Sequence, residues 1–414
     1  MIQSVMSSVN KGFSNFKALN FFSAFSVFLL LFSLTKASVP HENVGHHDST
    51  VEGAAHHDDA HAHDSGHAKE AKYDAKSVIM HHISDAHEWE FFATKSFHAT
   101  LPLPVILYSA ENGLDIFLSS AFKHKEGEHD HDAPKYYKNY VMHHEKIYLA
   151  NADGGLTMDE HHHATNPKPM DFSLTKNVAS MIVSLVLLCL IFITVANAYV
   201  KKGQWVPKGL QSFMEPLILF VRDDVVRPNM GKKTGDVFMP YMLTLFFFIW
   251  FNNLLGLLPG AANVTGNIAV TAVLAVITLV VTNLKGNKHY WGHIFNPPGV
   301  PKPLLLIMWP VEILGIFTKP FALMIRLFAN ITAGHIIILS ILGLIFMFSN
   351  GGANVGAGFG VSLAALPLAL FLFCLELLVA FLQAFIFTML TSLFIGQAME
   401  DHGHHDDEHA HSAH

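Results

Sequence analysis

The chain has 414 residues, 51% of them hydrophobic and only 14% charged, with 34 Phe and a formal net charge of -7. So large an apolar share points to a membrane protein with a polar appendage, and the negative balance gives no electrostatic case for nucleic-acid binding. Cys189 and Cys374 both lie in apolar runs, where they read as small buried hydrophobes and not as a disulfide or a metal pair.

From the start, Lys11 and Lys17 precede the apolar stretch "FFSAFSVFLLLFSL" and the small-residue "TKAS". That order predicts a secretory signal over residues 1–38 with cleavage near Ala37, the alternative being an uncleaved anchor. Either way the next segment begins outside the membrane. Of the 29 His, 20 fall between residues 41 and 163 and six in the last thirteen residues. Residues 39–76 have no apolar period and are rich in His, Asp, Ala and Gly, which predicts a disordered segment. Over 77–165, "HEWEFFATKSF", "LPLPVILYSAENGLDIFLSSAF" and "YYKNYVMHHEKIYLAN" alternate apolar and polar residues, with turn chemistry at Glu111, Asn112 and Gly113. These predict a small, mostly β external domain, followed by a flexible stretch at 151–170.

Residues 166–204 comprise a linker and a first membrane span, "NVASMIVSLVLLCLIFITVANAYV", ending at Lys201 and Lys202 on the cytoplasmic side. Residues 205–236 mix apolar and charged positions and predict an amphipathic helix along the inner surface. From 237 to 398 the chain is apolar again. Residues 237–284 carry no charge and predict a helical hairpin turning near Pro259 and returning to Lys285 and Lys288. Beyond Pro303, "FSNGGANVGAGFG" divides the sequence into two long helices, about 310–348 and 361–397. Each would exceed ~50 Å against a hydrocarbon thickness of ~30 Å, so they must tilt strongly or break. The last segment, 399–414, is a His-rich cytoplasmic tail. The fold class is thus an all-α polytopic membrane protein in which long tilted helices form a four-helix bundle, with one N-terminal span and the small external β domain.

The charged residues within 303–399 are Glu312, Lys319, Arg326 and Glu376, joined by the titratable His335. Each costs roughly 2.5 to 3.5 kcal/mol to insert, so each needs a partner, a cavity or an ion path. Lys319, near a helix end, has the option of snorkelling. Arg326 has about six turns of apolar helix beyond it and no such escape. Glu312, Lys319 and Arg326 are spaced by seven and share a helix face, with Asn330 four further on. His335, nine residues beyond Arg326, faces the other way and lies about 13 Å along the axis. On the last helix Glu376 and Gln383 share a face. For Gln383 the plain alternative is an interhelical hydrogen bond, and for Glu376 a salt bridge to Arg326 or to another chain. As proton carriers, a carboxyl and an imidazole out of water both exchange near neutral pH. A fixed guanidinium would repel protons, attract a carboxylate arriving from another protein and make it release its proton.

"RLFANITAGH", preceded by "TKP" and Glu312 and followed by "LELLVAFLQAFIFTMLTSLFI", closely resembles subunit a of the F-type, H⁺-transporting ATP synthases of bacteria. The resemblance covers about residues 205–397, including "FFFIWFNNLLGLLPG" and "GNIAVTAVLAVITL". It implies a stator subunit that conducts protons through two offset half-channels to a rotating ring of c subunits. Its partners would be the c ring, the b-subunit peripheral stalk, the whole synthase and membrane lipid, with no nucleic acid. The resemblance further implies a bacterial inner-membrane location, with the N-terminal domain periplasmic and the C-terminus cytoplasmic. Arg326 would be the essential stator arginine, with Asn330 and Gln383 as polar neighbours. His335 and Glu376 would form a proton-transfer pair, at positions where some members carry Glu and His instead. Asn253, Asn267 and Glu312 match half-channel positions, whereas Gly256 stands where some relatives have an acid. No cofactor or metal is implied, and no phosphate loop of the GxxxxGK[ST] kind is present. The alternative is a His-rich membrane metal-ion transporter or metal-binding protein, resting on "HAH" at 61–63, "HDH" at 129–131 and "HHDDEHAHSAH" at the end.

Overall fold

In a computed structural model of the chain, the described residues are 84–400 except 95–96, 111, 125–132, 152–153, 160–163, 203–207, 259, 296–301 and 351–353. The expected leader, the His-rich segment 39–76, the His runs at 61–63 and 129–131 and the tail beyond 400 lie outside the described residues.

Alternating residues in the first part build three small antiparallel sheets. Strands β1 (Glu88–Thr94) and β2 (Phe97–Pro102) form one; β3 (Pro104–Ser109) lies between β4 (Gly113–Leu118) and β9 (Met170–Asp171) in the second. The third is the meander β5 (Lys123–His124), β6 (Lys135–Tyr137), β7 (Tyr140–His143) and β8 (Lys146–Leu149). Period-two burial turns Val105 and Leu107 inward against Phe122, Tyr140, Met142 and Ile147, with Phe117 packed alongside. The turn into β4 needs Gly113, whose φ is 71°. Across this core Asp115 accepts a hydrogen bond from Tyr140 Oη at 2.8 Å and one from Lys138 Nζ at 3.2 Å.

The stretch expected as a flexible linker is instead held in place. The Asn166 side chain, 6% exposed, donates to Leu149 O at 2.7 Å and to Asn151 Oδ1 at 2.9 Å, and Thr165 N donates to Thr157 O. A buried asparagine saturating backbone carbonyls stitches such a loop without an apolar pattern to announce it. The β domain is also pinned to the first span, α1 (Lys176–Lys202): Lys176 N donates to Ala86 O and Asn177 N to Asp85 Oδ1. Between them His87 is buried, with Nε2 3.1 Å from Asp171 Oδ2 and its backbone N–H bonded to Glu145 Oε2.

Among the described residues, five helices are long and apolar enough to cross a membrane. After α1 come α2 (Leu210–Phe220), a π-helical turn at Val221–Val226, α3 (Arg227–Gly256), α4 (Ile268–Lys285), the short α5 (Lys288–Phe295), and the two long helices α6 (Lys302–Phe348) and α7 (Val355–Met399). At ~1.5 Å per residue, 47 and 45 residues make α6 and α7 about 70 Å long, so both must cross a bilayer at a steep tilt.

The segment expected to lie along the inner surface packs into the bundle instead. Met214, Ile218, Val221 and Val225 recur on one helical face and are buried; Phe220 meets the rings of Phe246, Phe381 and Phe385. Four of its charges pair with one another, Arg222 with Asp223 and Arg227 with Asp223 and Asp236, before and across the bend that Gly231 makes at φ 69°. The cysteine reading is corrected too. Cys189 is half-buried and Cys374 exposed, because each sits on a helix side that the rest of the chain does not cover.

The sheet domain should weaken in acid. The Tyr140 and Lys138 hydrogen bonds hold the Asp115 carboxyl below its ordinary range. Burial alone would raise Glu145, but its hydrogen bonds from His87 outweigh that and bring it below the ordinary range as well. Both carboxylates therefore add stability above the unfolded pKa that is lost as pH falls through the folded value. Melting of the detergent-solubilised chain, followed by near-ultraviolet circular dichroism, should shift to lower temperature between roughly pH 5 and pH 3. Asp115→Asn combined with Glu145→Gln should flatten that dependence.

Candidate functional site

Helix α6 has two unlike faces. Leu323, Leu327 and Ile331, one turn apart, are at most 2% exposed and pack into the core. Beside that face Arg326 and Asn330 are exposed, flanked on the same strip by Ala322, Ala329 and Ala333. Arg326 has no hydrogen bond or ion pair with any described residue, Asn330 and Gln383 included. The chain covers little of this side. Only 17% of the apolar window of α6 and 22% of that of α7 are buried, against 56% for the span that contains α3, so a bilayer or another protein must cover the remainder.

Half a turn from Arg326, the helix presents a different group. His335 Nδ1 lies 3.8 Å from Oε1 of Glu376 on α7. Glu376 is 5% exposed, and neither carboxyl oxygen has a hydrogen-bond partner among the described residues. A buried carboxyl so placed is costly as an anion unless the imidazole beside it carries the proton. Gly334 makes the approach feasible. A Cβ there would stand 2.8 Å from Glu376 Oε1 and 2.9 Å from its Cδ, so any larger residue would push the carboxyl away from α6. Sequence reasoning passed over Gly334; its signal was a mid-helix glycine immediately before the imidazole in "AGH".

The remaining candidates fall into two groups along the helices. Toward the N-terminal end of α6, the Lys319 ammonium sits over the Phe394 ring at 5.4 Å, and the half-buried Glu312 is near enough to Tyr290 on α5 for its charge, after burial, to raise the phenol's pKa. At the other end, Asn253 is 1% exposed; it accepts from Thr265 Oγ1 at 2.7 Å and donates to Ala380 O on α7 at 2.9 Å. Asn267 caps α4, its Oδ1 accepting from Ala269 N. Gln383, 4% exposed, continues the buried face of Glu376. A line of buried hydroxyls that sequence reasoning missed runs on from here. Thr271, Thr278 and Thr282 of α4 and Thr388, Thr391 and Ser392 of α7 are all buried, with Thr278 and Thr391 Oγ1 3.5 Å apart. Thr278 and Thr388 also bond to their own helix backbones, which is how such residues pass as apolar in a sequence pattern.

Comparison with known proteins matches residues 178–396 to the family model "ATP synthase A chain", and residues 78–172 to a domain of unknown function, DUF8433. Proteins called ATP synthase subunit a are similar over the helical part. That of Anaeromyxobacter sp. (strain Fw109-5) is 47% identical over 247 residues, 58% of this chain and 57% of that protein. That of Chloroherpeton thalassium is 46% identical over 247 residues, 58% of this chain and 71% of the relative. That of Myxococcus xanthus is 43% identical over 249 residues, 58% and 78%. The match thus spans less than two thirds of the length of the Anaeromyxobacter relative.

The packing of Glu376 against Gly334 is open to a direct check. In a background lacking Cys189 and Cys374, the paired substitutions Gly334→Cys and Glu376→Cys should cross-link in membranes under mild oxidation, seen as a mobility shift reversed by reductant. Failure to cross-link would place the carboxyl elsewhere.

Proposed function

The chain belongs to the ATP synthase A chain family, and from that premise we propose that it is the stator subunit of the synthase's membrane sector. In this reading it offers protons two offset half-channels and exchanges them with carboxylates carried past on a rotating ring of c subunits. The observation that carries the reading is Arg326: a permanent cation on the exposed side of an apolar helix, paired with no carboxylate among the described residues. A carboxylate borne by another protein satisfies it. Approach of the guanidinium stabilises the anion and releases the proton, and departure lets the acid be protonated again before it re-enters lipid. The alanines around Arg326 leave room for another helix to come close.

The two half-channels follow from the positions of the other polar groups. Lys201 and Lys202 end the first span and Lys285 and Lys288 follow the hairpin, and we read that end as the cytoplasmic one. His335 and Glu376 then lie outward of Arg326 by about 13 Å, and Lys319 and Glu312 inward by about 10 and 21 Å. Protons arriving from outside would reach the pair of Glu376 and His335, with Asn253 and Asn267 nearby, and Gln383, two turns further in along α7, would line the last step toward Arg326. At 3.8 Å a small side-chain shift or one bridging water suffices for transfer between them. Released protons would leave past Glu312. Arg326 and Asn330 stand between the two routes, so a proton crosses only by riding the ring. Each charge crossing 100 mV yields ~2.3 kcal/mol, so several must be gathered per ATP, which rotation accomplishes. The chain would act with the c ring and the b-subunit peripheral stalk in a bacterial inner membrane, its sheet domain outside.

Arg326→Ala should lower ATP-driven proton pumping by inverted membrane vesicles at least 100-fold, a loss of ~2.7 kcal/mol or more, while the complex still copurifies with its small two-helix carboxylate subunit. Pumping at the wild-type rate in that variant would refute the reading.

A further inference from the structure

The sheet domain touches the helical core at a place that bears on the site. Trp89, in β1, reaches across to the loop joining α3 and α4 and donates its indole N–H to Gly260 O at 2.9 Å. The acceptor is well defined, since Gly260 has φ 75°, a left-handed conformation that L side chains rarely adopt and that aims its carbonyl out of the loop. Trp89 itself is held firmly. Asp85, Ala86 and His87, just before β1, are bonded to the start of α1, to Glu145 and to Asp171. The domain therefore bridges the first span and the far loop.

The loop beyond Gly260 is not a free surface segment. Ala262, Val264 and Thr265 are fully buried. Thr265 Oγ1 donates to Asn253 Oδ1, which obliges the Asn253 amide to turn its NH₂ toward Ala380 O. Ala380 lies four residues, one helical turn, beyond Glu376 on α7. A chain of hydrogen bonds and buried loop backbone thus runs from Trp89 through Gly260, Thr265 and Asn253 to the helix that carries the buried carboxyl. The asparagine is the switch point. If the loop withdraws Thr265, Oδ1 loses its donor in a buried site and the amide is free to turn over, with loss of the tie to α7.

We propose that the sheet domain, which matches a domain of unknown function, is a clamp on the outer inlet of the proton path, with Trp89 as its positioning residue. The clamp fixes the loop that orders Asn253, and through it the register of α3 against α7 beside Glu376. This rests on the reading of the chain as the proton-conducting stator, yet its structural half is separately measurable.

The test uses the whole complex reconstituted in lipid vesicles. In Trp89→Phe, which keeps the ring and removes the N–H, hydrogen exchange at the amides of Ala261, Val264 and Asn267 should quicken about 5-fold, the effect of losing one hydrogen bond. Pumping should slow about 3-fold and its dependence on the pH of the outer compartment should change. Thr265→Val should do the same to pumping, and the double variant should be no worse than either single one, because both break one relay. Unchanged exchange in Trp89→Phe, or additive losses in the double variant, would overturn the clamp. Arg326→Ala in the same vesicles separates the two ideas, since pumping that survives it overturns the stator reading and leaves the exchange result standing.

Discussion

A guanidinium cannot shed its charge, so where one is set on an apolar helix with no carboxylate paired to it among the described residues, its neutralisation is delegated elsewhere. That delegation organises the molecule. Leu323, Leu327 and Ile331 anchor α6 to the core on one side, so the neighbouring exposed strip, with Arg326, Asn330 and three alanines, is presented at a fixed angle. The aromatic packing of α3 against α1, α2 and α7 supplies the rigidity that α6 and α7, so little covered by the chain, cannot supply themselves.

Separation of charges is the second requirement. Were Glu376 on the strip that carries Arg326, the two would pair and no visiting acid could compete, because intramolecular partners enjoy a high effective concentration. The nine-residue step to His335 turns the titratable pair to the far side of α6, and Gly334 lets the carboxyl settle there against the helix backbone.

Much of this was legible in the sequence. Apolar runs of sufficient length located the five spans, the two long helices and the hairpin, because a bilayer imposes one rule on every residue that crosses it. The spacing of nine residues alone sets Arg326 and His335 on different faces. The sequence misled where burial was served by polar atoms. Asn166 stitches a stretch that reads as linker, and the Arg222, Asp223, Arg227 and Asp236 charges satisfy one another in a segment that reads as amphipathic surface helix. Gly334, the hydroxyl line and the contact of Trp89 with Gly260 escaped because each depends on what stands opposite. Trp89 and Gly260 are 171 residues apart, and no local pattern reports such a partner.

Helix α7 shows how one element serves both a fixed scaffold and a face open to a partner. Its C-terminal end is pinned several times: Ser392 Oγ donates to Val225 O, Asn287 bonds to Ala398 O and Met399 O, and Gly396 lies so close to the Asn229 carbonyl that a Cβ would collide with it. Midway, Asn253 ties Ala380. Beyond Glu376 toward its N-terminus the outer side is uncovered, with Leu363, Leu370 and Phe371 exposed. A helix held at its end and middle but bare along its outer flank keeps the carboxyl at position 376 in place whatever covers that flank, because Glu376 is buried while its neighbours Leu375, Leu377 and Leu378 face outward.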